Sequence, residues 1–149
     1  MTRERIELNV PWKTFLRILD RRDEMDKETD AITKRRQEGE PWDTERVRYN
    51  ALWDERDALD DKIDAVCKRV IPEVGATGTI HWFSDCSKAV VTKVISPKKI
   101  EVKANGTYHC TRVYTFRANG YWIQEGSTSR DWATYFTWGR GHDYFDMSF

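Results

Sequence analysis

"KKIEVKANGTYHCTRVYTFRANGYW", residues 98–122, sets the architecture of the second half of this chain. Ile100 and Val102 alternate with Lys99 and Lys103, the period of a strand with one buried face and one charged face. Asn105-Gly106 is a hairpin signal, because both residues tolerate positive φ. Tyr108, Cys110, Arg112, Tyr114 and Phe116 then alternate against His109, Thr111, Val113 and Thr115. Asn119-Gly120 is a second hairpin signal, leading into Tyr121 and Trp122. No helical period interrupts the run, so these residues predict consecutive antiparallel strands.

Working outward, "ATGTIHWF" (76–83) and "KAVVTKVIS" (88–96) are rich in β-branched residues, and "WATYFTWG" (132–139) reads as a last strand. Five or six short strands with turn signals between them predict a small antiparallel barrel of SH3-like type. Closure would also remove exposed sheet edges.

The first half has different chemistry. Residues 1–74 hold 16 basic and 19 acidic side chains, and residues 75–149 hold 9 and 6, so net charges of −3 and +3 cancel. Of 19 aromatic residues, 14 lie after Gly75. Trp12 to Glu38 contains neither glycine nor proline. Pro11 suits the first helical position. Phe15, Ile18, Met25 and Ile32 form an approximate heptad seam, with Leu19 beside it and Arg22 and Thr29 as weak positions. Gly39 and Pro41 stop this helix, and Asp43 or Thr44 is expected to cap the next. The second helix is expected to reach about Val70, with Tyr49, Leu52, Arg56, Leu59, Ile63, Val66 and Val70 as its seam. A short loop between them predicts an antiparallel pair. The fold class expected is therefore α+β: an N-terminal antiparallel helical hairpin over 1–72, then a small antiparallel SH3-like β-barrel over 73–149. A hairpin alone buries too little apolar surface to stand. Its seam is expected to pack on the barrel or on another subunit, and a homodimer or higher homo-oligomer is the expectation.

Several function classes are disfavoured. Zero net charge gives no bulk attraction to nucleic acid or anionic membrane. No apolar run is long enough to span a bilayer, and Met1 to Leu8 lacks a signal-peptide core; a cytoplasmic protein with no membrane partner is expected. Cys67, Cys86 and Cys110 are an odd count without repeated spacing, so reduced thiols are expected. His81, Cys86, His109, Cys110 and His142 are the soft metal ligands, but no pair shows ligand spacing. Cys86, in "FSDCSK", reads as a loop thiol with Lys88 nearby, and no base is evident. No phosphate-cradling glycine loop is present. The chain is expected to be a non-enzyme without a cofactor.

What remains is an excess of aromatic residues. "SRDWATYFTWGRGHDYF" (129–145) interleaves arginine with tryptophan and tyrosine, the residues that dominate binding hot spots. The same mixture suits base stacking and phosphate pairing. The expected binding residues are Trp82, Ser84, Asp85, Arg112, Arg117, Arg130, Trp132, Trp138, Arg140 and His142, with Phe149 tucked against the barrel.

From Ser84 onward the chain resembles a group of small, mostly uncharacterised proteins encoded by bacteriophages and prophages. The resemblance is carried by "SD" (84–85), "TKVI" (92–95), "KKIEV" (98–102), "YTFRANGYW" (114–122), the Gly126 turn and "GRGHDYFDMSF" (139–149). Cys86 and Met147 stand where the usual form of the segment has Arg and Pro. The resemblance implies an SH3-like β-domain and a phage accessory role, in which a host protein, such as a defence factor, is bound and neutralised. A nucleotide or nucleic acid is the alternative ligand, supported by Lys88, Lys93, Lys98, Lys99, Lys103, Arg112 and Arg117 near aromatic residues.

Overall fold

A computed structural model describes residues 6–39, 41–82, 85–106, 108–126 and 134–144. Two helices, α1 (Trp12–Gln37) and α2 (Arg46–Val66), precede six strands: β1 (Thr77–Trp82), β2 (Asp85–Ser96), β3 (Lys99–Ala104), β4 (Thr111–Phe116), β5 (Trp122–Gln124) and β6 (Tyr135–Trp138). The strands pair antiparallel in sequence order, and β6 returns to β1, closing a barrel. The fold class is therefore α+β with a closed barrel. Among the described residues no helix is long and apolar enough to cross a membrane.

The alternation read from residues 98–104 holds: Ile100, Val102 and Ala104 are buried. The two hairpin signals fare differently. Around Asn119-Gly120 the chain turns in three residues, Ala118 to Gly120. Arg117 N–H donates to the Tyr121 carbonyl, and Gly120 takes the left-handed conformation at φ 86°. At Asn105-Gly106 no tight hairpin forms. Ala104 N–H donates to the Cys110 carbonyl, so a longer loop joins β3 to β4. The Asp143 side chain approaches Gly106 closely: a Cβ there would stand 1.9 Å from its carboxylate oxygen, so that side chain would have to move.

The segment read as a Cys86 loop is the start of β2. Cys86 is buried and exchanges both backbone hydrogen bonds with Tyr144, which lies antiparallel beside it. Burial first, then the charges of Asp143 and Asp85, pushes its thiol above the ordinary range, which disfavours the thiolate a nucleophile needs.

The helix seams hold with one shift. On α1 the buried residues are Trp12, Phe15, Leu19, Met25, Thr29 and Ile32, so Leu19 replaces Ile18 in the row. Thr29 is accommodated because its hydroxyl donates to the Met25 carbonyl. Arg22 is accommodated by Asp60 at 2.7 Å. On α2, Leu52 is fully buried, and Arg56 pairs with Asp26 at 3.4 Å. Arg21–Glu55 and Arg48–Glu28 also join the helices, so numbers rising along α1 meet numbers falling along α2. The α2 N-cap is Glu45, without a side-chain cap, and not Asp43 or Thr44; a short 3-10 turn, Trp42–Thr44, takes up the expected capping positions. The α-helical part of α2 ends at Val66, and a second 3-10 turn carries the chain to Val70.

One apolar cluster joins the halves. Trp12, Phe15 and Leu19 pack with Val70 and with the barrel interior, including Ile80, Val91, Ile100, Tyr114, Trp122 and Trp138. The first half of α1 therefore closes on its own barrel. A smaller cluster, Met25, Ile32 and Leu52, holds the far ends of the helices, flanked by Trp42, Tyr49 and Leu59.

Candidate functional site

Inward-facing rows of the barrel continue past its last buried layer at one end. Ile80 is inward on β1, and Trp82 follows it two residues on. Tyr114 is inward on β4, and Arg112 and Cys110 precede it on the same face. Ser87, paired with Ile80, is followed back to Asp85, paired with Trp82. These residues converge at one mouth of the barrel. Trp82, Tyr108, His109, Cys110 and Arg112 line a cavity of about 380 Å³ there. The volume lies at the small end of the range for ligand pockets.

The geometry of this mouth is set by Tyr108. Its ring meets Trp82 edge-to-face, with centroids 4.8 Å apart and planes at 63°. Its hydroxyl donates to Asp85 Oδ2 at 2.7 Å, and its backbone N–H donates to the buried Ser87 hydroxyl. The bond to Asp85 and, secondarily, burial raise the phenol above its ordinary value. The Asp85 carboxylate thus has a partner already. His109 and Arg112 are exposed at the rim, and Arg112 makes no ion pair among the described residues. The arrangement offers two ring surfaces, one cation and one imidazole.

Three of the ten residues expected at a binding surface, Trp82, Asp85 and Arg112, come together here. Trp138 does not belong with them: it is only 7% exposed and packs on Trp12, Trp122 and Phe136. Its alternation with Phe136 turns it inward, so it is a core residue. Arg140 lies exposed against α1, paired with Asp20 and, at 2.9 Å, with Asp23; it ties helix to barrel. Arg117 is exposed beside Lys98, Phe116 and Ala118, at the end of β4 opposite Arg112. His142 is exposed, and its backbone N–H donates to Thr79 Oγ1 at 3.0 Å. Ser84, Arg130, Trp132 and Phe149 lie outside the described residues. Tyr108, His109 and Cys110 were not among the expected binding residues. The parity of Tyr108 and Cys110 with Tyr114 and Arg112 was a signal for them.

A second aromatic row runs over the outside of the barrel. His81 stacks on Tyr135 with centroids 4.5 Å apart and planes at 11°, and His81 Nε2 shares a hydrogen bond of 2.8 Å with Thr137 Oγ1. Tyr121 meets Tyr135 edge-on, and Lys68 lies over Tyr121. Burial, with a smaller contribution from His142, holds the His81 imidazole below its ordinary pKa of 6.5. The unfolded chain therefore takes up this proton before the folded one does. Stability from His81 is complete above about pH 6.5 and is lost as pH falls towards the lower folded value, with a limiting slope of about 1.4 kcal/mol per pH unit. Thermal melts between pH 7.5 and 5 are expected to show this loss, and His81→Gln should flatten it. Equal slopes in both proteins would assign the acid sensitivity elsewhere.

Among the described residues no three His, Cys, Asp or Glu side chains gather as a metal site. Comparison with protein-family models, with curated proteins and with solved structures finds no match to this chain.

Proposed function

We propose that this chain is a non-enzymatic accessory protein of the phage type, which binds and neutralises a host protein through the open mouth of its β-barrel. The observation that carries this reading is the composition of one rim: Trp82, Tyr108 and Arg112 border a cavity of about 380 Å³ there. Tryptophan, tyrosine and arginine around a pocket are the composition of an interface hot spot. The barrel is read as SH3-like, from its small size and sequential antiparallel order. The helices are read as an antiparallel hairpin, from the ion pairs that cross between them, and as the element through which copies of the chain associate.

The test is affinity capture from a bacterial lysate with the full chain, and the retained proteins identified by mass. One host protein is expected in near-stoichiometric amount with wild type and is expected to be lost with Trp82→Ala. Trp82 is only half-buried and lies at the rim, so the variant should fold. Capture that is unchanged by Trp82→Ala would overturn the reading, as would no captured protein at all.

A further inference from the structure

The mouth has a chemistry more specific than general stickiness. Its anion-accepting group is a single arginine, Arg112, exposed and without an ion pair among the described residues. Elsewhere in this chain, arginines beside a carboxylate are paired with it: Arg21, Arg22, Arg35, Arg48, Arg56 and Arg140. Asp85, beside the cavity, is engaged by the Tyr108 hydroxyl and fixes that ring. Within the same cavity, Trp82 and Tyr108 present apolar surface beside the cation.

We infer that the mouth takes an acidic side chain of the partner protein together with an adjacent aromatic or aliphatic one: the carboxylate pairs with Arg112, and the apolar neighbour packs on Trp82 and Tyr108. This rests on the protein-binding reading of the same site and names the surface the partner must present. Charge complementarity points that way. The barrel half of the chain carries a net charge of +3, and guanidinium matches carboxylate with two parallel hydrogen bonds. Count argues against a nucleic acid here. A strand needs a line of cations following its phosphates, and among the described residues the lining of this mouth supplies one arginine and one histidine, with the Asp85 carboxylate close by. Arg117, just past the end of β4 and without an ion pair among the described residues, lies at the opposite end of that strand and cannot share the task.

The experiment uses full-length protein labelled for NMR and three probes: a short capped peptide with an aspartate next to a phenylalanine, its counterpart with lysine for the aspartate, and adenosine monophosphate. The aspartate peptide is expected to shift the Trp82 indole N–H and the Arg112 side chain. The lysine peptide should bind about tenfold more weakly, the loss of one charge-assisted pair. Arg112→Gln should weaken the aspartate peptide by a similar factor, and Arg117→Gln should leave it within about twofold. Both arginines are exposed, so both variants should keep the wild-type spectrum away from the substitution. Equal binding of the two peptides, tighter binding of the nucleotide, or equal losses in the two variants would each overturn the inference. If the peptides fail but host-protein capture is still lost with Trp82→Ala, only the acidic chemistry is wrong; if capture survives Trp82→Ala, the site itself is wrong.

Discussion

Alanine at Gly78 is expected to break the closure of the barrel. Gly78 sits on β1 between Ala89 of β2 and Trp138 of β6. A Cβ built on it would lie 2.1 Å from the Thr137 carbonyl oxygen and 2.5 Å from two Phe136 ring carbons. A flexible side chain could swing away from such a contact. A backbone oxygen in the neighbouring strand cannot, and the Phe136 ring is itself 1% exposed and packed. Relief therefore requires β1 and β6 to separate, and their pairing is the one that turns a sheet into a barrel. The cost should reach or exceed the upper end of ordinary overpacking, about 3 kcal/mol. For a chain of this size that corresponds to a fall in Tm of roughly 6–12 °C. Calorimetry on wild type and Gly78→Ala checks it. A variant that melts within a degree or two of wild type would mean that β1 and β6 are not in this register.

Gly78 also shows where sequence reading stops. In "ATGTIHWF" it is only a weak residue within a strand. Its necessity comes from Thr137 and Phe136, some 60 positions away. The same limit explains Gly106, which local chemistry assigns to a tight turn and which Asp143 instead claims for a close approach. Periodicities survived better. The alternation of Ile100, Val102 and Ala104, the row from Tyr49 to Val70, and the left-handed turn at Gly120 all depend on neighbours within a few residues. Leu19 displaced Ile18 because the first half of α1 faces the barrel, not only α2, and that choice is set by tertiary contact. The candidate site was legible in part. Composition drew Trp82 and Arg112 into the expected surface, but only strand register shows that their rows meet at one mouth. Composition drew Trp138 and Arg140 into the expected surface. Register buries the first, and α1 occupies the second.

The second large effect follows from that correction. Trp138→Ala is expected to destabilise the fold by about 3–5 kcal/mol, as for a large aromatic removed from a packed interior. The indole touches Trp12 of α1, Trp122 of β5 and Phe136 of its own strand, with ring centroids 6.2, 5.9 and 4.9 Å away. Its loss would open a void at the seam between helix and barrel, where neither element can collapse without the other. Its N–H has no hydrogen-bond acceptor among the described residues. The penalty therefore comes from lost packing and not from a broken hydrogen bond. Trp138→Phe, which keeps a ring in the void and deletes the unpaired donor, should consequently recover more than half of the loss. Urea titrations of the three proteins measure the differences directly, with an unchanged m-value showing that the same surface unfolds. Trp82→Ala makes the opposing case. It should lower the urea midpoint by less than Trp138→Ala does, since Trp82 is only partly buried, while host capture disappears. A Trp138→Ala protein of wild-type stability that lost its partner would return Trp138 to the binding surface and remove it from the core. The predicted crossing, stability lost at Trp138 and binding lost at Trp82, follows from one fact of register: Gly78 pairs with Trp138 near the end of the barrel that α1 covers, and Trp82 ends the same strand at the cavity it shares with Tyr108 and Arg112.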